Sequence, residues 1–168
     1  MPSKKLGKPT DQRMAILRGQ VSELFWYGKI QTTYARAKSV QSIAEKLLTK
    51  AIRTYTDTVE VKKNRIVNGK TTTVKVINDG PKKLAVRRLL LAKLYDLQEV
   101  QGEGEKRSAF HARTEDIAHP LVERIFNELA PKYADRIREK GQGGGYTRVL
   151  KLGARKGDAA EVAIIELV

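Results

Sequence analysis

A chain of 168 residues is about one domain's worth, and 33 Lys and Arg against 19 Asp and Glu leave it a net charge of +14 with 40% hydrophobic residues. That is more positive charge than solubility requires, and it points to a polyanion partner. The absence of cysteine excludes disulfides, thiolate zinc sites and cysteine nucleophiles and fits a cytosolic setting; no stretch has the roughly 18 to 20 apolar residues of a membrane span, and no apolar run follows Met1 to Arg13 as in a secretory signal.

The first nine residues hold Lys4, Lys5 and Lys8 with Gly7 and Pro9, a composition expected to form a flexible basic arm. Thr10 is the expected N-cap of a helix whose apolar stripe is Met14, Leu17, Val21, Leu24 and Phe25, flanked by Arg13 and Arg18 and stopped by Gly28. Lys29 to Thr33 reads as a short strand, with Thr32 or Thr33 capping the next helix. That helix sets Val40, Ile43, Ala44, Leu47 and Ala51 on one face, turns Lys38, Lys46 and Arg53 away from it, and ends near Tyr55.

Thr58 to Val67 and Lys70 to Ile77 are β-rich runs joined by Asn68-Gly69, the pair that supplies two positive φ angles in a type I′ turn. The two-residue turn pairs Val67 with Lys70 and Val61 with Val76. Its arms carry Lys62, Lys63, Arg65, Lys70 and Lys75, so the hairpin is either a ribbon laid against nucleic acid or a solvated excursion whose lysines prevent edge pairing. After Gly80-Pro81 a helix with Leu84, Leu90, Leu91 and Leu94 in the core is expected to end near Asp96, and the acidic, glycine-bearing stretch Gln98 to Asp116 reads as a loop. Pro120 opens a helix with Leu121, Val122, Ile125, Phe126 and Leu129 inside; Ala130-Pro131 should break it before a short segment to about Lys140. Tyr146 to Leu152 and Glu161 to Val168 read as strands, with Gly153, Gly157 and Asp158 turning between them. The expected fold class is α+β: a single two-layer domain over residues 10 to 168, with about four helices on a small mixed sheet, an inserted hairpin at about 56 to 80 and an inserted acidic loop at about 97 to 118.

The charge is polarised. Residues 1 to 93 hold 21 basic and 6 acidic side chains, and residues 94 to 168 hold 12 and 13, so one part of the molecule is suited to phosphate and another to solvent or protein. Catalytic and metal patterns do not assemble. His111 and His119 have no third ligand at metal-site spacing, and Glu115-Asp116, adjacent in sequence, read as a solvated pair. The glycines at 141, 143, 144 and 145 lead into a strand, not into the helix N-terminus that a phosphate loop requires; they read as a turn delivering Tyr146, Arg148 and Lys151.

Ile30-Gln31-Thr32-Thr33, Arg36-Ala37-Lys38, Glu45 and Leu47-Leu48-Thr49, then Phe126-Asn127-Glu128-Leu129-Ala130-Pro131, Gly144-Gly145-Tyr146-Thr147-Arg148 and the ending from Gly157-Asp158 to Leu167 together resemble the bacterial large-subunit ribosomal protein seventeen family. The motifs run in the family's order over most of the chain. The resemblance implies a structural constituent of the large ribosomal subunit, without enzymatic activity, cofactor or metal, that binds large-subunit ribosomal RNA near the outer end of the peptide exit tunnel. It implies neighbouring ribosomal proteins as partners, no membrane, and a monomer within the cytoplasmic ribosome. RNA contacts map onto Lys4, Lys5, Lys8, Arg13, Arg18, Thr32, Thr33, Arg36 and Lys38, with Tyr146, Arg148, Lys151 and Arg155 from the second half. Gln12, where the family commonly has histidine, and Ile52, where a basic residue is usual, depart from the pattern, as do the hairpin, the acidic loop and the longer approach from Ile137 to Gln142. The alternative from another class is a free nucleic-acid-binding architectural or regulatory protein using the same basic face; an RNA-modifying enzyme would need a cofactor loop or a convergent catalytic set, and neither is found in the sequence.

Overall fold

A computed structural model describes residues 5–67, 70–115 and 117–168, apart from the side chains of residues 64–67, 70–72 and 74. Lys4, the Asn68-Gly69 turn and Asp116 therefore lie outside the described residues. Helix α1 spans Thr10–Tyr27, β1 Lys29–Thr33, α2 Tyr34–Thr54, β2 Thr58–Val67, β3 Lys70–Asp79, α3 Pro81–Lys93, α4 Arg107–Thr114, α5 Pro120–Arg124, a π-turn Ile125–Leu129, α6 Ala130–Lys140, β4 Thr147–Ala154 and β5 Glu161–Leu167.

The apolar stripe of α1 buries Leu17, Val21, Leu24 and Phe25 as its spacing predicts, and Gly28 ends the helix in the left-handed region at φ 79°. Met14 does not join the core: it is 45% exposed and lines an open groove with Ile43, Leu47 and Leu89. Thr10 is not the cap. Extended Pro9 holds that position, and the Thr10 hydroxyl accepts a hydrogen bond from Arg13. Leu6, ahead of the helix, packs against the core.

Helix α2 buries Ala37, Val40, Ala44, Leu47, Leu48 and Ala51. Three of these are alanines, which let neighbouring elements approach closely, and α2 touches α1, α3, α6, the π-turn and all three strands of the sheet. That sheet has the order β1-β5-β4. It is antiparallel throughout, where a mixed sheet was expected, because β1 and β4 both run opposite to β5. Ala163 and Ile165 of β5 point inward at period two. Gly153 lies inside β4, at the register shift beside Lys151 and with φ 104°, so it bends the strand in place of forming the expected turn.

The ribbon β2–β3 has the expected register, Val67 opposite Lys70 and Val61 opposite Val76. Its foot is tied down by polar groups. Gly80 leaves α3 without a capping side chain, and Asp57 supplies one from across the ribbon: its Oδ2 accepts the N–H of Lys82 at 2.8 Å and of Lys83 at 3.1 Å. Gly80 also donates its N–H to the Asp57 carbonyl at 2.8 Å, and a Cβ at Gly80 would collide with the Asp57 carboxylate. Asp79 pairs with Lys83 and Arg87, and Arg87 reaches on to Glu123 of α5. Burial alone would raise the Asp79 carboxyl; hydrogen bonds and charge from Arg87 and Lys83 outweigh it and hold the group below its usual range.

Two further readings are corrected. The stretch from Gln98 to Asp116 is not all loop: its glycines occupy a turn in which Glu105 accepts the Gly102 N–H, and α4 follows, held by Arg113 through its pairs with Glu99 and Glu105. Nor does Pro131 break its helix. Pro131 has no N–H for the carbonyl four residues back, and its ring would crowd that carbonyl; the helix widens into a π-turn just before, where Ala130 donates to Ile125 five residues back, and then continues to Lys140. Leu84, expected inside, is exposed, whereas Leu90 and Leu94 are buried.

Asp57→Ala should remove the cap of α3 and cost about 1 kcal/mol, lowering the unfolding midpoint by about 3 °C in a thermal melt, with Asp57→Asn retaining most of the stability.

Candidate nucleic-acid interface

The charge asymmetry of the sequence becomes a division of labour among side chains. Among the described residues, every ion pair joins groups from Asp79 onward. The acids of the first part are used elsewhere or face solvent. Glu45 accepts both the N–H of Thr147 at 2.9 Å and its hydroxyl at 2.8 Å, Asp57 caps α3, and Asp11 and Glu23 are exposed. Lys5, Lys8, Arg13, Lys29, Arg36, Lys38, Lys46, Lys50 and Arg53 thus carry charge with no ion pair among the described residues, on α1, β1 and α2 and the turn before them.

The junction of β1 and α2 gathers the expected contacts most closely. Thr32 accepts a hydrogen bond from Gln20 at 2.8 Å, Thr33 sits at the cap position of α2 without a side-chain capping bond, and Arg36 follows in the first turn. Lys38 lies over the Tyr34 ring at 5.8 Å from its centroid, and Lys151 of β4 lies over the same ring at 4.4 Å. Tyr34 therefore brings together two cations 113 positions apart. Sequence reasoning passed over it; an aromatic residue between Thr33 and Arg36 is the signal that was present. In the sheet, Glu166 lies opposite Lys29 on one side and Arg148 on the other, and Arg148 Nε donates to it at 2.8 Å. Glu166 pairs with Arg148, and Lys29 keeps its charge without an ion pair among the described residues; sequence reasoning also passed over Lys29.

Other expected contacts stand in different surroundings. Arg18 is turned inward: it donates to the carbonyls of Leu94 at 2.6 Å and Leu91 at 3.3 Å and stacks on Tyr95, closing the C-terminal end of α3. Tyr146 is buried, its ring 5.0 Å from that of Tyr133, and its carbonyl accepts the Tyr133 hydroxyl at 3.3 Å. Burial pushes the Tyr133 phenol up to about 12. Arg155 pairs with Asp158 at 2.6 Å across the last turn, and that hydrogen bond, with the Ala160 N–H, holds the Asp158 carboxyl down at about 2. Lys4 lies outside the described residues.

The glycine segment is a structural turn. Gly144 and Gly145 have positive φ, and Arg136 of α6 donates to both of their carbonyls, at 3.5 and 2.8 Å, which sets the start of β4 against Glu45. His119 bonds Asp96 at 2.9 Å, and among the described residues no group of three or more His, Cys, Asp or Glu is placed to hold a metal ion. No helix among them is long and apolar enough to cross a membrane.

A family model described as ribosomal protein L17 matches residues 16–168. The chain is 40% identical to the large ribosomal subunit protein bL17 of Lachnospira eligens, with 98% of each covered. It is 36% identical to the bL17 of Acetivibrio thermocellus over the whole of both, and 38% identical to that of Clostridium tetani over 98% of this chain and 96% of that one.

The placement of Tyr146 separates packing from recognition. Tyr146→Ala should cost about 3 to 5 kcal/mol in denaturant unfolding, as large-to-small changes at buried aromatics do, and Tyr146→Phe should leave stability and RNA affinity near the parent values.

Proposed function

The chain belongs to the ribosomal protein L17 family, and on that premise we propose that it is a structural constituent of the bacterial large ribosomal subunit that binds and stabilises folded large-subunit ribosomal RNA near the end of the peptide exit tunnel. In this reading it acts in the cytoplasmic ribosome, as a monomer among neighbouring ribosomal proteins, and performs no reaction.

The observation that carries the reading is the set of cations on α1, β1 and α2 that no acid of the chain neutralises among the described residues. A folded domain gains nothing in stability from such crowding, since like charges repel. A polyphosphate neutralises them and releases its own counterions, which favours binding and makes it steeply dependent on salt. Lys5, Lys8, Arg13, Arg36, Lys38 and Lys151 are the proposed phosphate contacts, with Thr32 and Thr33 offering hydroxyls beside them. Lys4 is proposed with this set from its place in the basic start. Arg148 and Arg155 are proposed to share themselves between phosphate and their carboxylates. Arg18 and Tyr146 are proposed to contribute by holding α3 and the sheet in place. The surface has no base-reading pocket in this reading; it recognises the shape and backbone of folded RNA, as suits helices whose deep groove hides their base edges.

Replacing Arg36, Lys38 and Lys151 together by alanine should make log K against log salt less steep by about 2 to 3, at about 0.7 to 0.9 per phosphate contact, in binding to large-subunit ribosomal RNA. The same variant should be under-represented in gradient-purified large subunits. Full incorporation with an unchanged salt slope would refute the assignment of this face.

A further inference from the structure

The ribbon β2–β3 is the part of the chain that this function leaves unused. Each strand has 10 residues, a reach of about 33 Å at 3.3 Å per residue. Helix α3 packs against its foot, and the described side chains farther out, Lys62, Lys63, Thr73 and Lys75, are exposed. A two-stranded ribbon without a third strand or a covering helix is marginal in water, so its persistence at this length needs an explanation.

Its charges sharpen the question. Lys62 and Lys75 are register partners, directly opposite each other on one face with Cβ atoms about 5 Å apart, and like charges so placed destabilise a ribbon. Neither has an ion pair among the described residues. Lys63 falls on the other face by strand alternation, opposite Val74. Lysines serving only to prevent edge pairing would not need to stand in opposed pairs, where each raises the cost of the other. The foot is tied down: Asp57, Gly80, Asp79, Lys83, Arg87 and Glu123 join the base of both strands to α3 and α5. A cationic arm anchored at one end, with Lys62, Lys63 and Lys75 exposed, is thereby pre-aimed at an anionic partner.

We propose that this ribbon is a second RNA-binding element, inserted between two backbone strands of folded RNA so that Lys62 and Lys75 meet phosphates on one face and Lys63 on the other. The proposal rests on the reading that the chain binds large-subunit ribosomal RNA and adds to it a contact outside the β1–α2 junction. Phosphate between Lys62 and Lys75 turns their mutual repulsion into shared attraction. Val59, Val61 and Val76 lie toward the foot, and the register of Lys62 with Lys75 and of Lys63 with Val74 follows immediately beyond them.

The test uses the full chain and in vitro transcribed large-subunit ribosomal RNA. Lys62→Ala/Lys63→Ala/Lys75→Ala should keep the parent thermal transition while log K against log salt becomes less steep by about 2 to 3. Lys62→Ala/Lys75→Ala and Lys63→Ala alone should each take part of that change. An unchanged slope in the triple variant, with a reduced slope in the Arg36/Lys38/Lys151 variant, overturns the ribbon contact and leaves the function standing. Unchanged slopes in both sets overturn both. Normal RNA binding by the triple variant combined with its loss from large subunits overturns RNA as the ribbon's partner and assigns the ribbon to a neighbouring protein.

Discussion

Helix α2 can lie against three other helices, the π-turn and every strand of the three-stranded sheet because its buried face is built largely on Ala37, Ala44 and Ala51, with Val40, Leu47 and Leu48 between them. Small side chains let backbones approach, and larger ones fill the gaps, so the position of one helix fixes the position of nearly everything else. The same constraint determines where charge can go. A helix with one face committed to so many neighbours has its remaining face in solvent, and Lys38, Lys46, Lys50 and Arg53 occupy it. Packing and exposed positive charge are therefore assigned to opposite sides of one element.

What locks the neighbours to α2 is polar and long-range. Glu45 holds the first residue of β4, Arg18 closes the C-terminal end of α3, Asp57 caps its N-terminal end, and Arg136 holds the glycine turn. Each satisfies backbone groups that a helix end or strand start would otherwise leave unpaired, and hydrogen bonds to charged groups are among the stronger ones. These duties draw on both signs of charge but consume two of the few acids in the first half of the chain. The excess itself is compositional, and the fold adds to its effect by employing Glu45 and Asp57 as a tie and a cap, away from the cations of α1, β1 and α2.

The parts of the fold set by local patterning were legible in the sequence. The ribbon register follows from Asn68-Gly69, the end of α1 from Gly28, and the buried stripe of α2 from its helical spacing. The parts set by distant partners were not. No local feature shows that Asp57 caps a helix beginning at Pro81, or that Arg18 turns inward to meet the carbonyls of Leu91 and Leu94 at the end of α3. Pro131 misled for a related reason: a proline forbids one hydrogen bond, and the chain answers by widening a turn without ending the helix. In the candidate interface, the excess of cations could be counted from composition, whereas the convergence of Lys38 and Lys151 on Tyr34 required the sheet to place β4 beside the start of α2.

In the proposed RNA-binding role, salt acts on this molecule in two opposed ways, and the opposition separates folding from binding. Screening relieves repulsion among the crowded cations of α1, β1 and α2, so added salt favours the folded free chain. The same salt competes with the protein for phosphate and weakens RNA binding. A residue whose role is to tie elements together, such as Glu45, acts mainly on the first dependence, because its partners are backbone groups inside the fold. A residue whose role is to meet phosphate acts mainly on the second. Lys151 stands between the two: it pairs with Glu161 at 3.6 Å and lies over Tyr34, yet more than half of its side chain is exposed. Its ion pair is long and solvated, and such surface pairs contribute little to stability, so the charge of Lys151 is available to a phosphate that approaches beside Lys38.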